Sequence, residues 1–342
     1  MRIPTIAVVA LLLGDVNSFH FGSNRPGKPA PSTFVTKSMA IEGAATSLSV
    51  TASNIDIGLE NPPISPFGKG LASAGFSDDA KRILGGKGAN LAEMSSVGLS
   101  VPPGFTITTE CCNQFCGDWK GKIPEKVWSE ALNSLKSVEE AMDATFGDAA
   151  NPLLLSVRSG AAISMPGMMD TVLNLGMNDN VCKGLATKSN NARFAWDSYR
   201  RFLEMFGNVV LDIPRHCFEE RIDDVKFSKG FFEDSELETE DLMEVVQQFK
   251  AVYADNDLTF PEDVYEQLEL AIGAVFNGWM GARAVKYREV ENIRGLLGTA
   301  VNIQAMVFGN MGDTSGTGVC FTRNPNNGEN ELFGEFLVNA QG

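Results

Sequence analysis

Apolar residues recur at helical spacing in three segments of the second half of the chain. These segments cover residues 193–210, 240–254 and 262–279. In the second segment the apolar positions are Leu242, Val245, Val246 and Phe249. Because residues three and four apart share a helix face, this stripe is predicted to face the core. Thr239 is predicted to cap this helix, and Pro261 to lie in the first turn of the next.

Shorter apolar runs predict strands. Residues 153–157 are typical of a buried strand, with Arg158 at the point where that strand opens into a loop. Residues 300–308 and 319–322 flank a segment rich in glycine and hydroxyl groups, which is predicted to be a hairpin tip. A further strand-like segment covers residues 331–340. This mixture of helices and strands indicates an α+β fold.

Arg158 is the first candidate for chemistry. A guanidinium at a strand exit suits an anionic ligand, because its planar fork matches phosphate oxygens two at a time. The alternative is an arginine paired with a carboxylate at the edge of the core. The methionine- and glycine-rich segment that follows has no amphipathic period, which favours a functional loop over a packed core.

A glycine-rich turn precedes a second candidate cation. Gly85, Gly86, Lys87 and Gly88 come just before a helical pattern that starts at Ala89. Backbone amides of such a turn, together with a lysine, can form an anion site at a helix N-terminus. The P-loop spacing is absent, so the alternative is an ordinary helix start with a solvated lysine.

The predicted hairpin tip could also bind phosphate. Its glycines are Gly309, Gly312, Gly316 and Gly318, and its hydroxyl residues are Thr314, Ser315 and Thr317. Amides and hydroxyls of such a loop can close over polyphosphate oxygens. A flexible solvent-exposed loop is the alternative.

A series of longer motifs connects these segments. In chain order they are GGKGANLAEM, PPGFTITTE, SVRSGA, MPGMMDT, LNLG, DSYRRF, TAVNIQ, MVFGN, SGTGV, FTRNP and NAQG. Together they resemble the N-terminal nucleotide-binding domain of the pyruvate, phosphate dikinase family, over roughly residues 65–342. The related phosphoenolpyruvate synthases, which remain an alternative, typically continue the arginine motif with a serine-rich, acidic stretch. The MPGMMDT motif therefore favours the dikinases.

The resemblance implies an ATP-grasp nucleotide-binding domain with an inserted helical lobe. Residues 66–190 would form the first lobe, residues 191–292 the helical insertion, and residues 293–342 the start of the second lobe. ATP would bind between the two α+β lobes, and the insertion would brace them.

The resemblance also implies a set of site residues. Lys87 and Arg158 would contact the nucleotide phosphates and stabilise charge during phosphoryl transfer. The implied ATP-binding residues are Gly86, Lys87, Gly88, Arg158, Thr314, Ser315, Gly316, Thr317, Gly318 and Glu335. Glu335 and Asn339 could face ATP or Mg²⁺, although alternation on a surface strand explains Glu335 nearly as well.

The implied reaction converts ATP, pyruvate and phosphate to AMP, phosphoenolpyruvate and pyrophosphate through a phosphohistidine. The two histidines, His20 and His216, lie outside the GGMTSH-type motif that the family uses. We therefore expect the relay histidine, the main Mg²⁺ ligands and the pyruvate-binding barrel beyond Gly342, in a full-length homo-oligomeric enzyme. The chain alone would be inactive in the overall reaction. A standalone ATP-binding regulatory module is the alternative.

Composition narrows the possible partners. The chain of 342 residues has a net charge of −15, and residues 219–241 contain ten acidic residues against three basic ones. This stretch is predicted to be a solvated face, which argues against nucleic acid. No apolar run reaches membrane-spanning length, so a membrane partner is not expected.

The N-terminal region has the composition of a targeting sequence. Residues 1–18 resemble a signal peptide, with Arg2 before an apolar run and small residues before Phe19. Residues 19–65 form a transit-peptide-like tract and linker, and residues 19–40 contain no acidic residue. We expect a disordered bipartite presequence for a plastid. Secretion, a mitochondrial presequence or a cytoplasmic location are the alternatives.

Six cysteines could suggest disulfides behind a signal peptide. Cys111 and Cys112 are adjacent, however, and the spacing fits neither a zinc site nor a small disulfide-stabilised scaffold. Free thiols in a reducing compartment are therefore predicted.

Overall fold

The protein is described by a computed structural model that covers residues 7–9, 57–68, 70–71 and 80–341. Its strands are β1 (Ala7–Val9), β2 (Ile64–Phe67), β3 (Gly104–Ile107), β4 (Thr145–Phe146), β5 (Pro152–Leu153), β6 (Leu155–Ala161), β7 (Thr171–Leu175), β8 (Thr299–Ala305), β9 (Gly316–Phe321) and β10 (Phe333–Val338). Its α-helices are α1 (Ala80–Ser96), α2 (Thr109–Cys116), α3 (Glu125–Met142), α4 (Asp179–Ser189), α5 (Ala192–Val210), α6 (His216–Lys229), α7 (Thr239–Asp255), α8 (Val264–Gly278) and α9 (Ala282–Val290). The predicted α+β composition is confirmed.

A five-stranded sheet with the order β2-β3-β8-β6-β7 organises the fold. Every neighbouring pair in it is antiparallel. Strand β8 lies at the centre, where Asn302 faces Thr106 of β3 on one side and Arg158 of β6 on the other. The sheet therefore places residues that are distant in sequence side by side.

The two faces of this sheet differ in chemistry, because side chains alternate along each strand. Phe105, Val157 and Ile303 point to one face and are fully buried in the main hydrophobic core. Helices α2, α3 and α8 pack against the sheet strands in this core. The opposite face carries Arg158 and Asn302, and helix α1 packs against β6 and β8.

The three predicted helices are confirmed as α5, α7 and α8, because their apolar stripes contribute to the main core. Leu242 and Phe249 of the predicted stripe are fully buried. The predicted caps are wrong. Glu238 caps α7 in a reciprocal capping box with Asp241, which leaves Thr239 as the first helical residue.

The start of α8 also differs from the prediction, because an acidic residue again caps the helix. The Asp263 carboxylate accepts hydrogen bonds from the backbone amides of Tyr265 and Glu266 and starts the helix at Val264. Pro261 therefore precedes the helix and does not lie in its first turn. A carboxylate satisfies two free amides at once, which a proline cannot do.

The predicted hairpin between β8 and β9 is wrong. Strand β8 already pairs with β3 and β6, so neither of its edges is open to β9. Strand β9 pairs instead with β10 and with β1, in a second sheet with the order β1-β9-β10. The second lobe was predicted to begin at residue 293. Strand β8 follows that residue but belongs to the five-stranded sheet, so the chain passes to the second sheet only after residue 305.

Some predictions concern residues that the structure does not describe. Of the signal-like segment only Ala7–Val9 is described, and of the transit-like tract and linker only residues 57–65. The presequence prediction otherwise lies outside the described residues. Within the described ranges, no helix is both long and apolar enough to span a membrane. All six cysteines are free, as predicted.

Candidate functional site

Glycine residues allow helix α1 to lie directly on the polar face of the sheet. Gly85 interrupts the helix with φ 68° and ψ 172°, and a Cβ at this position would lie 1.6 Å from the Gly160 carbonyl oxygen. A Cβ at Gly88 would lie 2.8 Å from Thr106 Oγ1. The predicted helix start at Ala89 is too late, since helical structure begins at Ala80 and breaks only at Gly85. The glycines therefore serve close packing against the strand.

This packing places the Lys87 ammonium against strand β6. Lys87 Nζ donates a hydrogen bond to the Ser159 carbonyl oxygen at 2.9 Å. Much of the Lys87 side chain is accessible, but its charged end lies among protein atoms. Burial of that end, and secondarily the nearby positive charge of Arg158, lower the Lys87 pKa. The two cations therefore lie close enough to repel each other.

Arg158 lies in the middle of strand β6 and not at its end. The strand continues to Ala161, which faces Thr299 of β8, because the central strand extends the pairing past the predicted exit. Arg158 Nη2 donates a hydrogen bond to Gln304 Oε1, and Arg158 Nε is buried without a hydrogen-bond partner. Burial lowers the pKa of this guanidinium. Its charge lacks a counter-ion among the described residues.

Arg200, which is buried, shows the usual arrangement of an arginine with its counter-ions. The Arg200 guanidinium lies 2.9 Å from Asp197 and 3.0 Å from Asp234, with Glu204 also near. Asp234 belongs to the acidic stretch that was predicted to be solvated, and it also pairs with Lys226 at 3.0 Å. Part of that stretch therefore neutralises neighbouring cations. Charged groups that lie among protein atoms are normally paired in this way, whereas Lys87 and Arg158 have no carboxylate partner among the described residues, which makes them candidates for contact with an anion.

Amide side chains complete the polar face, and the sequence reasoning did not single them out. Thr106 Oγ1 donates to Asn302 Oδ1 at 2.9 Å, and Asn302 Nδ2 donates to the Arg158 carbonyl oxygen at 3.4 Å. Gln304 Nε2 donates to the Pro102 carbonyl oxygen at 3.0 Å. The alternation of Asn302 and Gln304 with apolar residues along β8 was the signal that could have found them.

The hydroxyl-rich segment lies mainly in the second sheet. Ser315 Oγ accepts hydrogen bonds from the Met311 and Gly312 amides at 3.1 and 3.2 Å, and Thr317 Oγ1 donates to the Ala340 carbonyl oxygen at 2.6 Å. Within the described chain, no hydrogen bond connects residues 314–318 to Lys87 or Arg158. These two hydroxyls therefore stabilise their own loop.

Glu335 lies on strand β10 opposite Val319, and its residue is exposed. The predicted strand around it is confirmed as Phe333–Val338. The described ranges contain no group of three or more His, Cys, Asp or Glu residues with the geometry of a metal site.

Comparisons with a family model and with individual proteins point to the same family. Residues 81–340 match the family described as "Pyruvate phosphate dikinase, AMP/ATP-binding domain". The chain is 61% identical over 277 residues to pyruvate, phosphate dikinase 1, chloroplastic, of Zea mays, and this match covers 81% of the chain and 29% of the relative. The corresponding protein of Oryza sativa subsp. japonica is 60% identical over the same shares. The chain thus spans less than a third of the length of these relatives.

Proposed function

The chain belongs to the pyruvate phosphate dikinase AMP/ATP-binding domain family, and from this premise we propose that its polar sheet face binds the phosphates of ATP through Lys87 and Arg158. The observation that carries the proposal is a neighbouring pair of cations without a carboxylate partner among the described residues. A polyphosphate would supply the missing negative charge. Its binding would raise both lowered pKa values towards their usual range.

The two cations have distinct parts in this proposal. Arg158 offers its unpartnered Nε and a planar fork that matches phosphate oxygens two at a time. Lys87 contributes a compact charge from the first turn after the break at Gly85. The amides of Gly86 and Gly88 add donors at the start of that helical segment. Such groups stabilise the charge that develops when a phosphoryl group leaves.

The remaining site residues extend the proposal to an ATP-grasp arrangement. Residues 314–318 would cover the phosphates by the Thr314 hydroxyl and by backbone amides other than that of Ser315, since the Ser315 amide and the Ser315 and Thr317 hydroxyls have local partners. Mg²⁺ would arrive as part of the MgATP substrate and be held by phosphate oxygens, with Glu335 as the proposed protein ligand.

The proposed role of this chain is the nucleotide half-reaction of a pyruvate, phosphate dikinase. The named relatives are pyruvate, phosphate dikinases, and the first of these is described as chloroplastic. Pyruvate and phosphate would react in a full-length, homo-oligomeric enzyme that carries the relay histidine. We further propose a plastid location directed by the N-terminal bipartite presequence, in keeping with the chloroplastic relatives.

Binding of ATP to single-site variants tests the assignment. Isothermal titration of MgATP should show affinity losses of about tenfold or more for Lys87→Ala and for Arg158→Ala. Lys81→Ala is the matched control, because Lys81 is an exposed lysine on the same helix before the break at Gly85. Equal affinities for all three variants and the unmodified protein would refute the assignment, as would the absence of ATP binding to the unmodified protein.

A further inference from the structure

Arg158 depends on one neutral side chain for its hydrogen bonding. Gln304 Oε1 accepts from Arg158 Nη2, and no other side chain or backbone group of the described residues accepts a hydrogen bond from this guanidinium. Gln304 is only 5% exposed. Its own amide nitrogen donates to the Pro102 carbonyl oxygen at 3.0 Å, which determines the orientation of the amide oxygen towards Arg158. The orientation of Arg158 therefore depends on a second hydrogen bond behind it.

The backbone holds Gln304 in place from both sides. On β8 it faces Ser156 of β6 and Gly104 of β3. A Cβ at Gly104 would lie 2.9 Å from Gln304 Cα and 2.4 Å from the Ile303 carbonyl oxygen, so this facing position cannot carry a side chain without displacement. Gln304 thus lies on the central strand of the sheet, on the same face as Arg158.

The choice of an amide has an electrostatic consequence. A carboxylate here would form an ion pair with Arg158, as Asp197 and Asp234 do with Arg200, and would neutralise the positive charge that an anion requires. An amide oxygen supplies the hydrogen bond without the negative charge. We propose that Gln304 is a positioning residue that orients Arg158 for an anionic ligand while leaving its positive charge uncompensated. The nature of the ligand, a nucleotide polyphosphate, rests on the function proposed above.

Two substitutions separate charge from hydrogen bonding. Gln304→Glu keeps an acceptor for Arg158 but adds a negative charge, so affinity for MgATP should fall by about tenfold or more at neutral pH. Gln304→Met removes the acceptor without adding charge, and its loss should be smaller, about threefold. Gln114→Glu is the control for net charge, because Gln114 lies on α2 and its amide donates to the Gly58 carbonyl oxygen.

The pH dependence distinguishes the positioning role from simple structural damage. Because Arg158 lowers the pKa of the introduced carboxyl, the affinity deficit of Gln304→Glu should persist at neutral pH and shrink as pH falls through that pKa, towards about pH 4. Gln304→Met has no such group, so its deficit relative to the unmodified protein should not change with pH. A constant deficit for both variants, or equal deficits, would overturn the proposal.

A double-mutant cycle gives a readout that does not need ATP. Urea unfolding of Gln304→Met, Arg158→Met and the double variant should show a double variant less destabilised than the sum of the single variants, because each single change leaves one buried group unpaired. Additive effects would overturn the positioning role. If the unmodified protein binds no MgATP but the cycle shows coupling, the function proposed above fails while the Gln304–Arg158 interaction stands.

Discussion

Replacement of Gly85 by alanine tests whether the contact between α1 and the sheet builds the candidate site. The added Cβ would lie 1.6 Å from the Gly160 carbonyl oxygen and 2.5 Å from its carbon, where only backbone movement can relieve the clash. Gly85 also has φ 68°, which strains any residue with a side chain. Both effects act two residues from Lys87.

The expected loss can be estimated from these two contributions. The combination of φ 68° and ψ 172° is essentially restricted to glycine and costs about 1–3 kcal/mol for alanine. Overpacking against the strand adds about 1–3 kcal/mol. Gly85→Ala should therefore lower the free energy of unfolding by about 2–6 kcal/mol. Displacement of α1 should also move the Lys87 ammonium from the Ser159 carbonyl oxygen and weaken MgATP binding.

Gly98→Ala provides a matched control for the backbone contribution. Gly98 has φ 84°, but a Cβ there would have no heavy atom within 4 Å. Urea unfolding should thus show only the conformational cost, about 1–2 kcal/mol, with no change in MgATP affinity. If both variants lose the same stability and bind MgATP equally, the close contact at Gly85 does not determine the position of Lys87.

Other predictions follow from charge, packing and targeting. Arg200→Met should cost about 3 kcal/mol of unfolding free energy in urea because it removes the buried cation that the surrounding carboxylates share, whereas Arg158→Met should cost only about 1 kcal/mol because it leaves one neutral acceptor unpaired; equal losses would contradict this. NMR titration should give Lys87 a pKa below 10.5, so its contribution to stability should rise with pH towards 10.5, and tripolyphosphate should raise that pKa; an unshifted value in both states would contradict the anion site. Phe249→Ala should cost about 3–5 kcal/mol in thermal or urea unfolding, since Phe249 is fully buried; a loss below about 1 kcal/mol would refute its core role. Residues 1–54 fused to a fluorescent protein should direct it to the plastid of an alga with a secondary plastid, and a Phe19 substitution should retain it in the endomembrane system; export or mitochondrial labelling would contradict this.

Local sequence patterns were sufficient to predict three of the helices and to identify two candidate cations. Helical periodicity predicted α5, α7 and α8, because the spacing of apolar residues within one helix directly determines its buried face. Motifs also directed attention to Lys87 and Arg158 as cations for an anionic ligand. Capping was less predictable, since Glu238 and Asp263 compete with neighbouring residues for the same free amides.

Tertiary structure decided what depends on partners distant in the chain. Arg158 lies within β6 because β8 extends the pairing, and the predicted β8–β9 hairpin does not form because β3 and β6 occupy both edges of β8. Gln304 contacts Arg158 across 146 positions of sequence. Alternation places both residues on a strand face, but only the sheet order and register make them neighbours. Strand pairing is a long-range choice among competing edges, which local periodicity does not encode.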